Sequence, residues 1–262
     1  MYRFVDFGQR GRRDSSPMSI QTVFNNINLD EELTDSLGSF RTLTVTGRGG
    51  LYRELKTVAV GGMDGALEYG YRYHHREIVV KYILKAKDNE SFRRKVDALN
   101  RLLIQNKARL EFTDEEYTFT ATAVSGGEFP ETSNTAVSEI RFICNDPFKY
   151  AKETTRYESW LDFQTKTVKG SHYPNWRVQV RFTWNAGGFE IEKNDGRKVR
   201  VEGPFTIGDT LEIDFETRRA GLNGSNITHR LSLDSEWFTM NPGLNTIKSS
   251  HPAVIYYRER FV

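Results

Sequence analysis

Arg141-Phe142-Ile143-Cys144-Asn145-Asp146-Pro147-Phe148-Lys149-Tyr150 ends one kind of chain and begins another. Before it lies a single convincing helical pattern set among strand-like segments. After it come more than a hundred residues of short alternating runs with no helical period. Proline lacks a backbone donor and pushes the residue before it, here Asp146, into an extended conformation, so a ladder strand should stop at this point. The expected organisation is two modules, residues 1–145 and 146–262.

Working back from the junction, residues 137–144 read as the strand that closes the first module. Residues 110–112 and 117–124 read as a hairpin around Asp114-Glu115-Glu116. Phe92, Val96, Leu99 and Leu103 recur at helical spacing and Leu102 widens the stripe, which predicts an amphipathic helix over about 90–105 lying on a sheet. Asp88 or Asn89 can cap its start, and Glu90 sits beside the positive end of its dipole. In residues 77–86, Ile78, Val80, Tyr82 and Leu84 share one face, while Val79 and Ile83 are apolar on the other. Such a strand is expected to be central and covered twice. Residues 30–70 are polar and punctuated by Gly47-Arg48-Gly49-Gly50 and Gly61-Gly62-Met63-Asp64-Gly65. A loop of that length needs a partner to order it, so it reads as a β-arm or assembly loop. Residues 18–29 read as weakly extended, residues 2–7 as a strand, and residues 8–17 as a polar loop carrying Arg10, Arg12 and Arg13.

Working forward, apolar and polar side chains alternate through four segments. They are Val178, Val180, Phe182 and Trp184; Phe189 and Ile191; Val199 and Val201; and Leu211, Ile213 and Phe215. Asn223-Gly224 is a type I′ hairpin signal. Short strands separated by turn residues predict an antiparallel sandwich. The whole is therefore mainly β: an α+β sheet or split barrel with one helix, followed by an all-β lobe.

Bulk composition narrows the function classes. At 262 residues the chain is long for one core, which favours two domains. Apolar content is 37% and mean hydropathy −0.60, polar but within the globular range. Thirty-seven Lys and Arg oppose 35 Asp and Glu, which gives no electrostatic footprint for specific nucleic-acid binding. A lone cysteine excludes an internal disulfide and a thiolate metal site. No apolar run approaches the roughly 20 residues that span a bilayer, and residues 1–6 lack a signal-peptide pattern. The expectation is a soluble protein made and folded inside a cell.

Taken in order, several elements resemble the distal tail protein family of siphophages that infect Gram-positive hosts. In the first half they are Ser39-Phe40-Arg41-Thr42-Leu43, Arg53-Glu54-Leu55, and a strand leading into Phe92-Arg93-Arg94-Lys95-Val96-Asp97-Ala98-Leu99-Asn100-Arg101-Leu102-Leu103. The junction Phe142-Ile143-Cys144-Asn145-Asp146-Pro147-Phe148-Lys149-Tyr150 follows. In the second half come Gly208-Asp209-Thr210-Leu211-Glu212-Ile213-Asp214, Leu222-Asn223-Gly224, Ser235-Glu236-Trp237 and Pro242-Gly243-Leu244-Asn245-Thr246. Their order and spacing carry the resemblance, since no single motif is specific. It implies a hexameric ring built by the first domain, with a galectin-like sandwich projecting outward. The implied place is the tail tip of the virion, reached after synthesis in the host cytoplasm, from a phage or prophage gene. The implied partners are the major tail tube protein on one side and tail-tip, tail-associated lysin or tape-measure proteins on the other, with receptor-binding or adhesion proteins docking on the hub.

Candidate chemistry reads as structural throughout, and no catalytic, cofactor or metal residue is assigned. Glu212, Asp214 and Glu216 alternate along one strand about 7 Å apart, wider than the roughly 5 Å of a retaining glycosidase pair and just within the inverting range. Ion pairing with Lys198 and Arg200 on a solvated face explains them more simply. His74 and His75 are adjacent and point to opposite faces, and His172, His229 and His251 lack ligand spacing. Cys144 is expected to be a buried small hydrophobe. The glycine clusters lack the Gly-Lys-Ser/Thr of a phosphate loop. Arg10, Arg12 and Arg13 read as an arm docking on a neighbouring subunit rather than a nucleic-acid contact. Asn223-Gly224-Ser225 and Asn226-Ile227-Thr228 read as turn chemistry. The rival function is a carbohydrate-binding module for the host cell wall, with Trp160, Tyr173 and Trp176 as its aromatics.

Overall fold

The computed structural model describes residues 20–127 and 133–262. The strand expected at residues 2–7 and the loop with Arg10, Arg12 and Arg13 lie outside the described residues. The chain divides into two compact units: one runs to Glu116 and resumes over Thr120–Asp146, and the other holds Tyr117–Phe119 and Pro147–Val262.

The first unit contains β1 (Thr22–Phe24), β2 (Ile27–Asn28), α1 (Leu29–Glu32), β3 (Gly38–Thr46), β4 (Arg53–Val58), β5 (Leu67–Tyr73), β6 (Arg76–Ala86), α2 (Asn89–Leu103), β7 (Ala108–Phe112), β8 (Tyr117–Ser125) and β9 (Thr135–Cys144). Its main sheet runs β2-β1-β7-β8-β9-β6-β3. β6 is central, as its alternation predicts: Ile78, Val80, Tyr82 and Leu84 are fully buried. Cross-strand pairs Ile78↔Phe142, Val80↔Ile140 and Leu84↔Ala136 set its register against β9. The Tyr82 hydroxyl donates to the Gly126 carbonyl at 2.7 Å, so its polar tip is satisfied. The opposite face is not covered as expected. Glu77, Lys81 and Lys85 are exposed there and leave Val79 and Ile83 only half-buried.

α2 packs over β6 and β3. Asp88 is its cap, accepting the Ser91 amide at 2.8 Å. The buried stripe is Phe92, Lys95, Leu99 and Leu103, with Lys95 in the place expected for Val96. The Lys95 stem lies in the core, and its ammonium donates to the Leu33 carbonyl and the Asp35 carboxylate, both at 2.8 Å. That hydrogen bond is the main reason the Asp35 carboxyl titrates below its ordinary range.

Two segments differ from the expected reading. Of the segment expected to be weakly extended, residues 20–29 are described, and they fold back on themselves because Asn25 and Asn26 both take positive φ (51° and 63°) and join β1 to β2 by a tight turn. Residues 30–70 are not one long loop, since β3 pairs along β6 and closes one edge of the sheet. β3 is hard to see in sequence because its inward face is part polar. Asp30, buried, accepts the Thr22 amide (3.0 Å), the Thr42 amide (2.6 Å) and the Thr42 hydroxyl (2.8 Å). Three bonds to one carboxylate replace apolar contacts that would have shown as a period of two.

The second unit contains β10 (Lys149–Ala151), β11 (Thr155–Ser159), β12 (Gln164–Val168), β13 (Trp176–Arg181), β14 (Ala186–Lys193), β15 (Lys198–Phe205), β16 (Thr210–Asp214), β17 (Arg219–Leu222), β18 (Ser225–Asn226), β19 (Gly243–Ser249), β20 (Ala253–Tyr257) and β21 (Arg260–Phe261). Two antiparallel sheets, β11-β20-β13-β16-β17-β18 and β12-β19-β14-β15, enclose one core. From the first sheet it draws Val178, Val180, Leu211, Ile213 and Ile255, and from the second Phe189, Ile191, Val199, Val201 and Ile247. Asn223 and Gly224 both have positive φ (51° and 82°) and pair Leu222 with Ser225, as the dipeptide predicts.

Candidate assembly surface

The surface begins at a glycine. Gly47 has φ +85°, and a Cβ built there would lie 1.9 Å from the Glu77 carbonyl oxygen, so β3 can leave the sheet here only without a side chain. The next residue, Arg48, forks onto Asp114 with bonds of 2.7 and 2.9 Å while its guanidinium lies 4.8 Å over the Phe112 ring. Arg76, buried at the start of β6, donates to the Gly47 and Gly49 carbonyls at 3.0 and 2.7 Å. Two arginines thus fix the root of the segment that follows.

That segment is the β4–β5 ribbon, and among the described residues its two strands pair only with each other. Tyr52, Leu55, Val58, Val60, Met63, Leu67, Tyr69 and Tyr71 on it are each 45–71% exposed. A lone two-stranded hairpin is marginal in water, and exposed apolar side chains gathered on one such ribbon mark an interaction site. Its base is tied by polar contacts. Arg72 donates to the Glu54 carboxylate, and His74 Nε2 lies 3.0 Å from the same oxygen. The hydrogen bond from Arg72, more than any other contact, lowers the Glu54 pKa. The sequence marks this region as an arm through its glycines. The arginine anchors escape a sequence reading because their partners lie some thirty to seventy residues away.

The remaining candidates separate. Glu212 pairs with Arg177 on the neighbouring strand at 3.2 Å. Asp214 accepts the Glu216 and Thr217 amides at 2.8 and 3.0 Å, which places Glu216 in a turn beyond the strand. Lys198 and Arg200 lie in the opposite sheet, bonded to Glu190 and Glu202, and so are not the partners expected from their alternation. His172 stacks on Phe148, ring centroids 4.3 Å apart. Among the described residues no group of three or more His, Cys, Asp or Glu is placed to hold a metal ion, and no helix is long and apolar enough to cross a membrane. Cys144 is fully buried, and burial pushes its thiol pKa up to about 12. Trp176 stacks on Phe215 at 3.6 Å inside the core, whereas Trp160 and Tyr173 stay exposed.

His251 is buried among the rings of Phe182, Trp184 and Phe189. Its Nδ1 lies 3.2 Å from the Ser250 hydroxyl, and burial lowers its pKa. A histidine held neutral by folding contributes stability that is complete above its unfolded pKa, about 6.5. That stability is lost as pH falls through the lower folded value. The second unit should therefore lose stability between pH 7 and pH 5. In the His251→Phe variant the loss should shrink, read as the Tm of that unit against pH.

Comparison with known proteins follows this division of the chain. A family described as the phage tail protein RIFT-related domain matches residues 27–144, and the siphovirus-type tail component C-terminal domain matches residues 169–261. The chain is thus a siphophage tail component. The distal tail protein of Bacillus phage SPP1 is 28% identical over 257 residues, spanning 93% of this chain and 98% of that protein. The crystal structure of SPP1 Dit, a paradigm of the hub adsorption apparatus in phages infecting Gram-positive hosts, has the same fold. It superposes with a TM-score of 0.82 at 20% identity over 93% of this chain and 99% of that one. A chain of the activated phage p2 baseplate gives a TM-score of 0.50 at 12% identity over 93% and 99% of the two chains. This chain belongs to the siphophage distal tail protein family.

Proposed function

We propose that the protein is a non-catalytic structural hub of the virion tail tip. Copies close into a ring that joins the tail tube to the adsorption apparatus. The single observation that carries this reading is the β4–β5 ribbon, whose exposed apolar side chains its own unit leaves uncovered. A ribbon on one protomer meeting a different surface on the next is a heterologous contact, and such contacts make a ring where the rotation between copies closes. Six copies is the number implied by the family. The first unit builds the ring and the second is a docking platform. Major tail tube protein lies on one side and tail-tip, tail-associated lysin or tape-measure protein on the other, with receptor-binding or adhesion proteins held at the hub. Light scattering and negative-stain imaging of the purified chain, alone and with tail tube protein, test the proposal. A hexameric mass and closed rings are expected, and a monomer under both conditions at tens of micromolar overturns it.

A further inference from the structure

We infer that the second unit carries a saccharide-binding groove where the edges of its two sheets meet, with Trp160 as the stacking platform. β11 is an edge strand of one sheet and β12 an edge strand of the other, and residues 160–163 connect them. The open seam between these edges is a groove of about 450 Å³ lined by Arg156, Glu158, Trp160, Gln164 and Lys166. Tyr157, a core residue, also lines it, with Lys166 Nζ 5.6 Å from its ring centroid. The volume lies within the range of small-molecule sites.

The Trp160 side chain is the informative part. An indole left 47% exposed forfeits much of the burial that aromatic residues normally obtain. The backbone that carries it is nonetheless anchored. The Trp160 carbonyl accepts the Ser249 amide at 3.0 Å, and Thr165 at the head of β12 shares a 2.8 Å hydroxyl contact with Thr246. With the loop backbone already held, less entropy is lost on binding than from a free loop. The apolar C–H face of a pyranose fits such a surface. The surrounding guanidinium, ammonium, carboxamide and carboxylate groups supply both donors and acceptors for ring hydroxyls. Two cations against one carboxylate favour an anionic saccharide over a neutral one. The groove is open, so affinity per site should be on the order of millimolar, and several copies held together would raise it through avidity.

This site is independent of ring assembly, and its test keeps the two apart. The full chain is titrated with a panel of neutral and anionic oligosaccharides, followed by tryptophan fluorescence and calorimetry, with an acidic peptide as the rival ligand. Anionic oligosaccharides should bind. Trp160→Ala should weaken binding about tenfold or more, Trp160→Phe should restore part of it, and Trp184→Ala, which removes the other exposed indole, should leave it unchanged. Circular dichroism and light scattering should be the same for all variants. Absence of binding across the panel, equal binding by Trp160→Ala, or binding of the peptide alone overturns the inference.

Discussion

A chain carrying Leu55→Lys and Tyr71→Glu together should remain a folded monomer at concentrations where the native protein assembles. Leu55 and Tyr71 are directly opposite in the ribbon register and are 47% and 48% exposed in the isolated subunit. Covering each by a neighbour contributes roughly 2 kcal/mol at about 25 cal/mol per Å² of apolar surface. Losing both weakens each subunit contact by about 10³-fold, before the added cost of burying charge. The substitutions are of opposite sign, so the lysine and glutamate attract across the strands and the ribbon itself is preserved. Sedimentation velocity reads the mass, and far-ultraviolet dichroism verifies the fold. A variant that still forms rings would show that the ribbon is not the subunit interface.

Gly47→Ala is expected to destabilise the first unit by about 3 kcal/mol or more. Two terms contribute. A residue with a Cβ at φ +85° is strained by about 1–2 kcal/mol, and that Cβ would lie 1.9 Å from the Glu77 carbonyl oxygen, a backbone atom that cannot swing aside. β3 or β6 must shift, and the shift reaches the Arg48 and Arg76 anchors. For a unit of this size the loss lowers Tm by roughly 10 °C. The transition of the second unit should not move. A Gly47→Ala chain as stable as the native one would mean that the backbone at this position relaxes freely.

The elements most visible in the sequence are those held by a single repeating force. β6, β9 and α2 stand out because apolar contact sets most of each period, and the Asn223-Gly224 turn because few residues tolerate two successive positive φ values. β3 was obscured by Thr42 and Asp30, where hydrogen bonds do the work of apolar packing. Lys95 takes the place expected for Val96 because its long stem buries like a hydrophobe while its charge reads as surface. Proximity in sequence groups Trp176 with Trp160 and Tyr173 but says nothing about which side of a sheet a ring occupies. The arm was legible as a segment in need of a partner. Its root was not, since Arg48, Asp114 and Arg76 meet only when β3, β6 and the β7–β8 turn come together.

Cys144 lends the first unit a built-in reporter. Its sulfur is sealed under the central strands and holds its proton well above neutral pH. An alkylating reagent can therefore reach it only during moments when β6 and β9 part company. With no other thiol in the chain, the labelling rate counts those openings directly, two residues before Asp146, where the first unit ends.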